Sequence, residues 1–253
     1  DPGAKGARGG DQVVVEIVRY PDEGRDARGV IVKVLGKRGD PGVDTQSIIH
    51  QYQLPQEFPK AVATAAARVV AKYDPEAAAE DREDLRDLTV ITIDPDSARD
   101  FDDAISITEL SKGRLELGVH IADVSHFVRP GSAMDKEARD RANSVYFPRL
   151  VIPMLPEVLS NGVCSLQEKE PRLTKSAFIT YDARGRRVST RFANSVIRSA
   201  KRLTYGQATR ILDGKGGRLS KKTIALVRQM ELLARSIQKR RLATGSLVLD
   251  LPV

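Results

Sequence analysis

Residues 89–107 have the sequence TVITIDPDSARDFDDAISI, which places four aspartates within ten residues. An apolar, β-branched run that predicts a strand ends at Asp94. Asp100, Asp102 and Asp103 follow six, eight and nine residues later. A strand that delivers one aspartate, followed by a short irregular loop that returns three more, can bring four carboxylates to one point. Apolar residues on both sides of the loop indicate that a core anchors it.

Four neighbouring carboxylates repel one another, and each raises the pKa of the others. A divalent cation removes this cost, and an oxygen-only donor set favours Mg²⁺ or Mn²⁺. Metal-assisted cleavage of phosphodiesters uses such an arrangement. A calcium loop of EF-hand type is disfavoured, because the glycine and glutamate expected at its sixth and twelfth positions are missing. A solvated acidic loop is the alternative that spacing alone leaves open.

The composition bounds the class of protein. The chain has 253 residues, 41 % of them apolar, which excludes a disordered chain. No apolar run approaches the ~18 residues that a membrane span needs, so we expect no membrane contact. Cys164 is the only cysteine, so an internal disulfide is excluded, and we expect a cytoplasmic protein.

The net charge of +7 is the sum of two opposed blocks. Residues 74–103 hold twelve acidic and three basic residues, a net charge of −9, whereas residues 181–222 hold twelve basic and two acidic residues, a net charge of +10. One interpretation is that each block is a solvated surface. The other is that the basic block binds a polyanion while the acidic block holds cations.

The remaining pattern predicts an α+β fold. Two β-rich runs near the N-terminus indicate the end of a small β-barrel, and an Ala-rich helix follows at 61–73. Two hairpins are predicted around the turns SKG and DARG, and two helices follow them. The predicted strands are 12–19, 30–35, 89–93, 103–110 and 114–124 with the 173–200 hairpin, and the predicted helices are 61–73, 130–144, 203–214 and 219–242, with short helical segments within 75–87 and 151–161.

Several long motifs occur in a familiar order: TIDPDSARDFDDAISI, LGVHIADVSHFVRPGSAMDKEA, RANSVYFP and VIPMLPEVLSNGVCSL. Together they resemble the RNB catalytic domain of the ribonuclease II and ribonuclease R family, and more closely its ribonuclease R branch. The resemblance implies a partial cold-shock (OB-type) β-barrel over residues 1–53 and a helical linker over 54–88. Residues 89–253 would be an RNB domain with mixed sheet and packed helices, truncated at its C-terminus. We therefore expect a piece of a longer protein, and we expect RNA turnover from the full-length protein rather than from this piece alone.

The resemblance also implies an activity. Family members are hydrolytic 3′-to-5′ exoribonucleases that degrade single-stranded RNA processively to nucleoside 5′-monophosphates with Mg²⁺ or Mn²⁺, and we expect this protein to act as a monomer. Asp94 and Asp103 are expected as direct metal ligands, Asp102 as the carboxylate least tolerant of loss, and Asp100 as a support for the cluster. Tyr146, in SVYFP, is expected to stack on a base near the RNA 3′ end.

Two other functions are alternatives for a chain with this pattern. A non-catalytic single-stranded RNA-binding protein of the same fold would be expected to lack the aspartates, and all four are present. A metal-dependent nucleotidyltransferase would need a Gly-Ser motif before the paired aspartates, and none precedes them.

Further polar residues invite a functional interpretation, but the pattern favours structural roles for most of them. His120 and His126 alternate along a strand-like run, Asp123 between them is a candidate to support the metal site, and Cys164 is expected to be an inert core thiol. Three arginines at the tip of the second hairpin are expected to be solvated: Arg184, Arg186 and Arg187. Three further residues of the family-like motifs receive no role: Asn143, Asn161 and Arg172.

Overall fold

The computed structural model describes residues 2–247. The chain divides into two compact units. The first unit comprises Asp1–Pro59 and Ala138–Met154, and the second comprises Lys60–Glu137 and Leu155–Val253. The domain boundaries expected from the sequence, at residues 53/54 and 88/89, stay predictions.

The strands, in chain order, are β1 (Asp11–Arg19), β2 (Arg28–Lys37), β3 (Glu83–Asp94), β4 (Asp103–Leu110), β5 (Arg114–Ala122), β6 (Val145–Phe147), β7 (Leu150–Ile152), β8 (Pro171–Tyr181) and β9 (Arg187–Thr204). The helices are α1 (Val43–Gln51), α2 (Lys60–Ala71), α3 (Val124–Phe127), α4 (Ala133–Arg141), α5 (Tyr205–Leu212) and α6 (Lys221–Ala243). Short 3₁₀ turns occur at Pro2–Ala4, Ala77–Ala79 and Ser111–Gly113, and a π-helical turn at Val158–Val163.

The first unit is built on the antiparallel hairpin β1–β2 and the helix α1 that follows it. Gly36 at the end of β2 has φ +126°, and a Cβ there would lie 2.9 Å from the side chain of Val43, so glycine permits the close approach of α1. The second chain segment of the unit is attached through Arg141. Its guanidinium donates to the carbonyls of Pro55 and Glu57 and lies 3.7 Å from the centre of the Phe58 ring.

The second unit is a closed five-stranded barrel with the order β3-β4-β5-β8-β9. Each neighbouring pair is antiparallel except β9 and β3, which close the barrel in parallel. Helices α5 and α6 cover one side of the barrel, and their buried residues form a core with two strand residues. That core consists of Ile91, Leu203, Ile211, Leu226 and Val227.

A network of buried polar side chains, a histidine and several hydroxyl groups, connects neighbouring strands of the barrel. His120 is fully buried and lies 3.0 Å from the Ser106 hydroxyl and 2.7 Å from the Ser176 hydroxyl. The Ser176 hydroxyl lies 2.6 Å from that of Ser195, which lies 2.8 Å from that of Thr174. Because each buried polar group has a partner, the network does not carry the cost of unsatisfied hydrogen bonds.

The structure confirms both predicted hairpins and the helices α2, α4, α5 and α6. The prediction for residues 83–87 was wrong, since they begin β3 rather than forming helix or loop. Their pairing with β9, from Glu83 opposite Ser195 to Leu85 opposite Ile197, outweighs their polar composition. Helix α1 was not predicted. None of the helices between residues 2 and 247 combines the length and apolar character needed to cross a bilayer.

Candidate active site

The four predicted aspartates lie at one rim of the barrel. Asp94 ends β3 and Asp103 begins β4, and these two strands are antiparallel neighbours, so their ends lie at the same rim. The connecting residues 95–102 have no regular secondary structure and carry Asp100 and Asp102. This is the strand and irregular loop that the spacing of the motif predicted.

Backbone hydrogen bonds hold the C-terminal part of this loop, at Phe101 and Asp102. The N–H of Leu166 donates to the carbonyl of Phe101 at 2.9 Å, and the N–H of Ala122, at the end of β5, donates to the carbonyl of Asp102 at 2.9 Å. The donors come from parts of the chain at least 20 residues away from the loop. The loop that carries the carboxylates is therefore fixed by the barrel and by the segment that precedes β8.

Arg202 of β9 holds the N-terminal part of the loop, at Pro95 and Asp96. Its guanidinium donates to the carbonyls of Pro95 and Asp96 and lies 5.4 Å from the centre of the Phe101 ring. The parallel pairing of β9 with β3 places Arg202 opposite Thr92, two residues before the first aspartate. Arg202 was not predicted from the sequence, because only the closure of the barrel brings it to the loop.

The aspartates lie within one another's electric field. Partial burial and then the charge of Asp103 raise the pKa of Asp94, although the nearby Thr92 hydroxyl and Arg202 act in the opposite direction. Asp102 keeps access to solvent but is crowded by protein atoms on its other sides. This loss of water, followed by the charges of the other three aspartates, raises the pKa of Asp102.

The donor set fits a divalent cation. Asp94 Oδ2 is buried and finds no hydrogen-bond partner among residues 2–247, which leaves a desolvated carboxylate oxygen that a cation would satisfy. Within the same residues, no three His, Cys, Asp or Glu side chains are grouped so that they could hold one ion by themselves. Mg²⁺ commonly binds through one or two carboxylates and keeps several waters, so these residues suit it better than an ion that needs a full protein cage.

Comparison with known proteins assigns the chain to a family. A family model of the RNB domain matches residues 82–252, and one of the cold shock domain matches residues 1–59. The chain belongs to the RNB family. Its RNB domain is thus the part that contains the barrel and all four aspartates, and the fold is the cold-shock and RNB combination that the sequence predicted.

Ribonuclease R proteins are among the relatives of this RNB protein. It is 45 % identical to ribonuclease R of Thermotoga maritima over 210 residues, which are 82 % of this chain and 29 % of that protein. It is 44 % identical to ribonuclease R of Escherichia coli over 209 residues, 83 % of this chain and 26 % of that protein. The chain therefore spans less than a third of the length of these two relatives.

Solved structures agree with this fold. A structure of Mycoplasma genitalium RNase R in complex with double-stranded RNA matches with a TM-score of 0.86 at 29 % identity, covering 96 % of this chain and 43 % of that one. Yeast Ssd1, a pseudonuclease, matches with a TM-score of 0.69 at 24 % identity over 96 % of this chain and 30 % of that one. Since a pseudonuclease shares the architecture, the RNB fold does not by itself establish activity.

Tyr146 belongs to the other unit of the chain. It lies on β6, opposite Val151 of β7, and 63 % of its surface is exposed. Exposed aromatic rings are the side chains on which single-stranded bases stack. The aspartates lie in the second unit, so the role of Tyr146 as a clamp for RNA held at the RNB site stays a prediction.

Asp123 is engaged in a buried ion pair. Its carboxylate accepts hydrogen bonds from Arg82 at 2.7 Å and from the Ser125 hydroxyl at 2.5 Å, and Lys175 lies 3.7 Å away. Burial alone would raise the pKa of Asp123, but the bonds from Ser125 and Arg82 outweigh it and hold that pKa below its usual value. Asp123 thus secures the chain directly after Ala122, whose N–H holds the Asp102 carbonyl.

His120, His126 and Cys164 occupy structural positions. His120 lies in the barrel network described above, and burial lowers its pKa to about 4. His126 makes edge contacts with Tyr73 and Phe127. Cys164 is buried, and burial raises its pKa to about 12, so the thiol is inert at neutral pH.

The two charge blocks pair with each other across β3 and β9. Arg191 forms an ion pair with Glu83 at 2.8 Å, and Arg198 lies 3.8 Å from Asp87. At the hairpin tip, Arg186 pairs with Asp182 at 2.7 Å. Part of the basic block is therefore neutralised by acidic groups of the same unit rather than held free for a polyanion.

Proposed function

We propose that this chain carries the active site of a 3′-to-5′ hydrolytic exoribonuclease that degrades single-stranded RNA processively to nucleoside 5′-monophosphates. The observation that carries the proposal is the group of four aspartates at one barrel rim. Burial, and then the charges of neighbouring aspartates, raise the pKa values of Asp94 and Asp102, and one buried oxygen of Asp94 has no partner among the described residues. An acidic cluster costs folding stability, so its presence in an otherwise well-paired barrel favours a functional site.

The carboxylates would hold Mg²⁺ or Mn²⁺, which supplies charge for the scissile phosphate and lowers the pKa of water. Asp94 and Asp103 end and begin paired strands, so they form the rigid part of the site. Asp100 and Asp102 lie on the anchored loop and complete the negative surface. Hydrolysis then breaks the bond between phosphorus and the 3′ oxygen, the shortened RNA leaves with a 3′ hydroxyl, and the released nucleotide keeps the 5′ phosphate.

RNA is the proposed substrate because relatives of this chain are ribonucleases R, and solved RNase R structures contain double-stranded RNA or ribose-methylated single-stranded RNA. Tyr146 is proposed to stack on a base near the 3′ end. Such stacking is worth about 1–3 kcal/mol and is independent of sequence, as a processive enzyme requires. We further propose that the protein acts as a monomer in the cytoplasm, where its lone thiol stays reduced.

The alternative is a non-catalytic single-stranded RNA-binding protein of the same fold. The likeness to a pseudonuclease shows that the architecture tolerates this outcome. The four aspartates favour the enzyme, because a binding module gains nothing from carboxylates that repel RNA phosphates.

One experiment separates the two functions. The full-length protein that contains this chain is incubated with 5′-labelled single-stranded RNA in Mg²⁺, and then with a chelator in excess. We expect a ladder that shortens from the 3′ end and stops when chelator is added, with nucleoside 5′-monophosphates as the released product. Retention of intact RNA in a complex, with or without Mg²⁺, would instead identify the binding module.

A further inference from the structure

A single buried serine brackets the peptide of Asp100. Ser165 lies in the segment before β8 and is fully buried. Its hydroxyl donates to the carbonyl of Arg99 at 2.7 Å and accepts from the N–H of Phe101 at 3.2 Å. Arg99 and Phe101 are the residues on either side of Asp100, so one side chain closes a bridge across the aspartate from a position 65 residues later in the chain.

Ser165 is itself held in place. Arg172 Nε donates to the Ser165 carbonyl at 2.8 Å, and the N–H of the next residue, Leu166, donates to the Phe101 carbonyl at 2.9 Å. The bond from Arg172, a residue of β8, ties the serine to the barrel, and the bond from Leu166 is a second link between the serine's segment and the loop. This arrangement also gives Arg172, which received no role from the sequence, a place in supporting the site.

The two hydrogen bonds of Ser165 hold a loop whose carboxylates repel one another. Asp100 and Asp102 flank Phe101, and the two carboxylates repel each other and Asp94. Without fixed peptides on both sides of Asp100, the loop would relax by separating the charges. Groups that orient metal ligands from outside the coordination shell commonly change metal affinity by about 10- to 100-fold when they are removed.

We infer that Ser165 is a positioning residue whose hydroxyl holds the Asp100 peptide in place and keeps the carboxylates preorganised for a divalent cation. This inference rests on the proposed function, since it assumes that the cluster binds a metal. It concerns binding of the ion and not the chemical step, so the two can be tested separately.

The test is Ser165→Ala in the 253-residue chain. We expect the affinity for Mn²⁺, measured by calorimetric titration of the metal alone, to fall about tenfold or more. Loss of a buried hydroxyl also destabilises the fold, and thermal unfolding in chelator measures that effect separately.

The matched control is Ser195→Ala. Ser195 is equally buried, and its hydroxyl bonds to those of Thr174 and Ser176 inside the barrel wall. We expect this variant to lose stability to a comparable degree and to keep the Mn²⁺ affinity of the unmodified chain. Equal Mn²⁺ affinities of the Ser165→Ala and Ser195→Ala variants would overturn the inference.

A second variant covers the case in which Ser165→Ala does not fold. Ser165→Cys, kept under reductant, retains the shape of the side chain but replaces the hydroxyl by a weak donor and acceptor. We expect a lowered Mn²⁺ affinity, and an unchanged one would contradict the inference. If the unmodified chain binds Mn²⁺ but the full-length protein leaves RNA intact, the proposed function fails, while the role of Ser165 is still decided by these titrations. If it binds no Mn²⁺, both fail.

Discussion

Replacing Asp102 by Asn is expected to have opposite effects on the metal-free and the metal-loaded protein. Asp102 retains solvent access, so its repulsion from each neighbouring aspartate is comparable to an exposed charge pair, about 0.2–1 kcal/mol. Three such neighbours give a gain of about 0.6–3 kcal/mol on removal of the charge. For a unit of this size that gain raises the unfolding temperature by roughly 1–12 °C.

The pH dependence has a definite sign. Since the pKa of Asp102 is raised in the folded state, the folded state binds its proton more tightly than the unfolded chain does, and stability falls as pH rises through the folded pKa. The advantage of Asp102→Asn is therefore expected at pH 7–8 and should disappear as pH falls well below the unfolded pKa of 3.8, where the carboxyl is protonated in both states.

Adding Mg²⁺ should invert the order. An ion at 100 times its dissociation constant stabilises the protein that binds it by about 2.7 kcal/mol. The variant has lost part of the charge that attracts the ion, so it gains less. Scanning calorimetry in chelator and then in Mg²⁺ measures both states, and RNA hydrolysis by the variant should fall by about 100-fold or more while RNA binding persists.

Asp96→Asn is the matched control, because Asp96 lies in the same loop and is exposed, but its charge does not contribute to the raised pKa values of Asp94 and Asp102. It should leave the unfolding temperature in chelator and RNA hydrolysis close to those of the unmodified chain. The reasoning is refuted if both variants are equally stable without metal, or if Asp102→Asn still degrades RNA at the unmodified rate.

Three further predictions concern residues outside the carboxylate cluster. Because the pKa of His120 is about 4 in the fold and 6.5 in the unfolded chain, stability should fall by roughly 3 kcal/mol as pH drops from 6.5 to 4, and urea unfolding of His120→Gln should lack this fall. Tyr146→Ala should lengthen the smallest RNA product on a sequencing gel, whereas Tyr146→Phe should not; equal products from both would exclude stacking. Cys164, with a pKa of about 12, should react with iodoacetamide at pH 8 only as fast as the protein unfolds.

The sequence predicted the part of the site that is local in the chain. Asp94, Asp100, Asp102 and Asp103 span ten residues, and the apolar strand before them and the hairpin after them are recognisable from residue pattern. The antiparallel hairpins were predictable for the same reason, since each is closed by a short turn. The role of Tyr146 came only from resemblance, because an exposed aromatic residue carries no local signal for stacking.

What the sequence did not predict depends on contacts between distant segments. Arg202 reaches the loop only through the parallel pairing of β9 with β3, and Ser165 only through the segment that precedes β8. Arg82 forms an ion pair with Asp123, and a buried carboxylate needs such a cationic partner. The pair could not be predicted, because the burial of Asp123 is not visible in the sequence. The pairing of strands is not visible in the sequence either. The acidic and the basic charge block therefore suggested separate partners, a cation and a polyanion, although Glu83 and Arg191 of the two blocks form an ion pair between neighbouring strands.

The barrel closes between its first and last strands, and this has a consequence for how the protein is made. During synthesis, β3 emerges about a hundred residues before β9, its partner on one side. Until β9 arrives, that side of β3 is an unpaired edge that can recruit strands of other chains. Folding that waits for so distant a contact is slow. Deletions that remove β9 are therefore expected to aggregate, whereas deletions within β1 and β2 leave the closing pair intact.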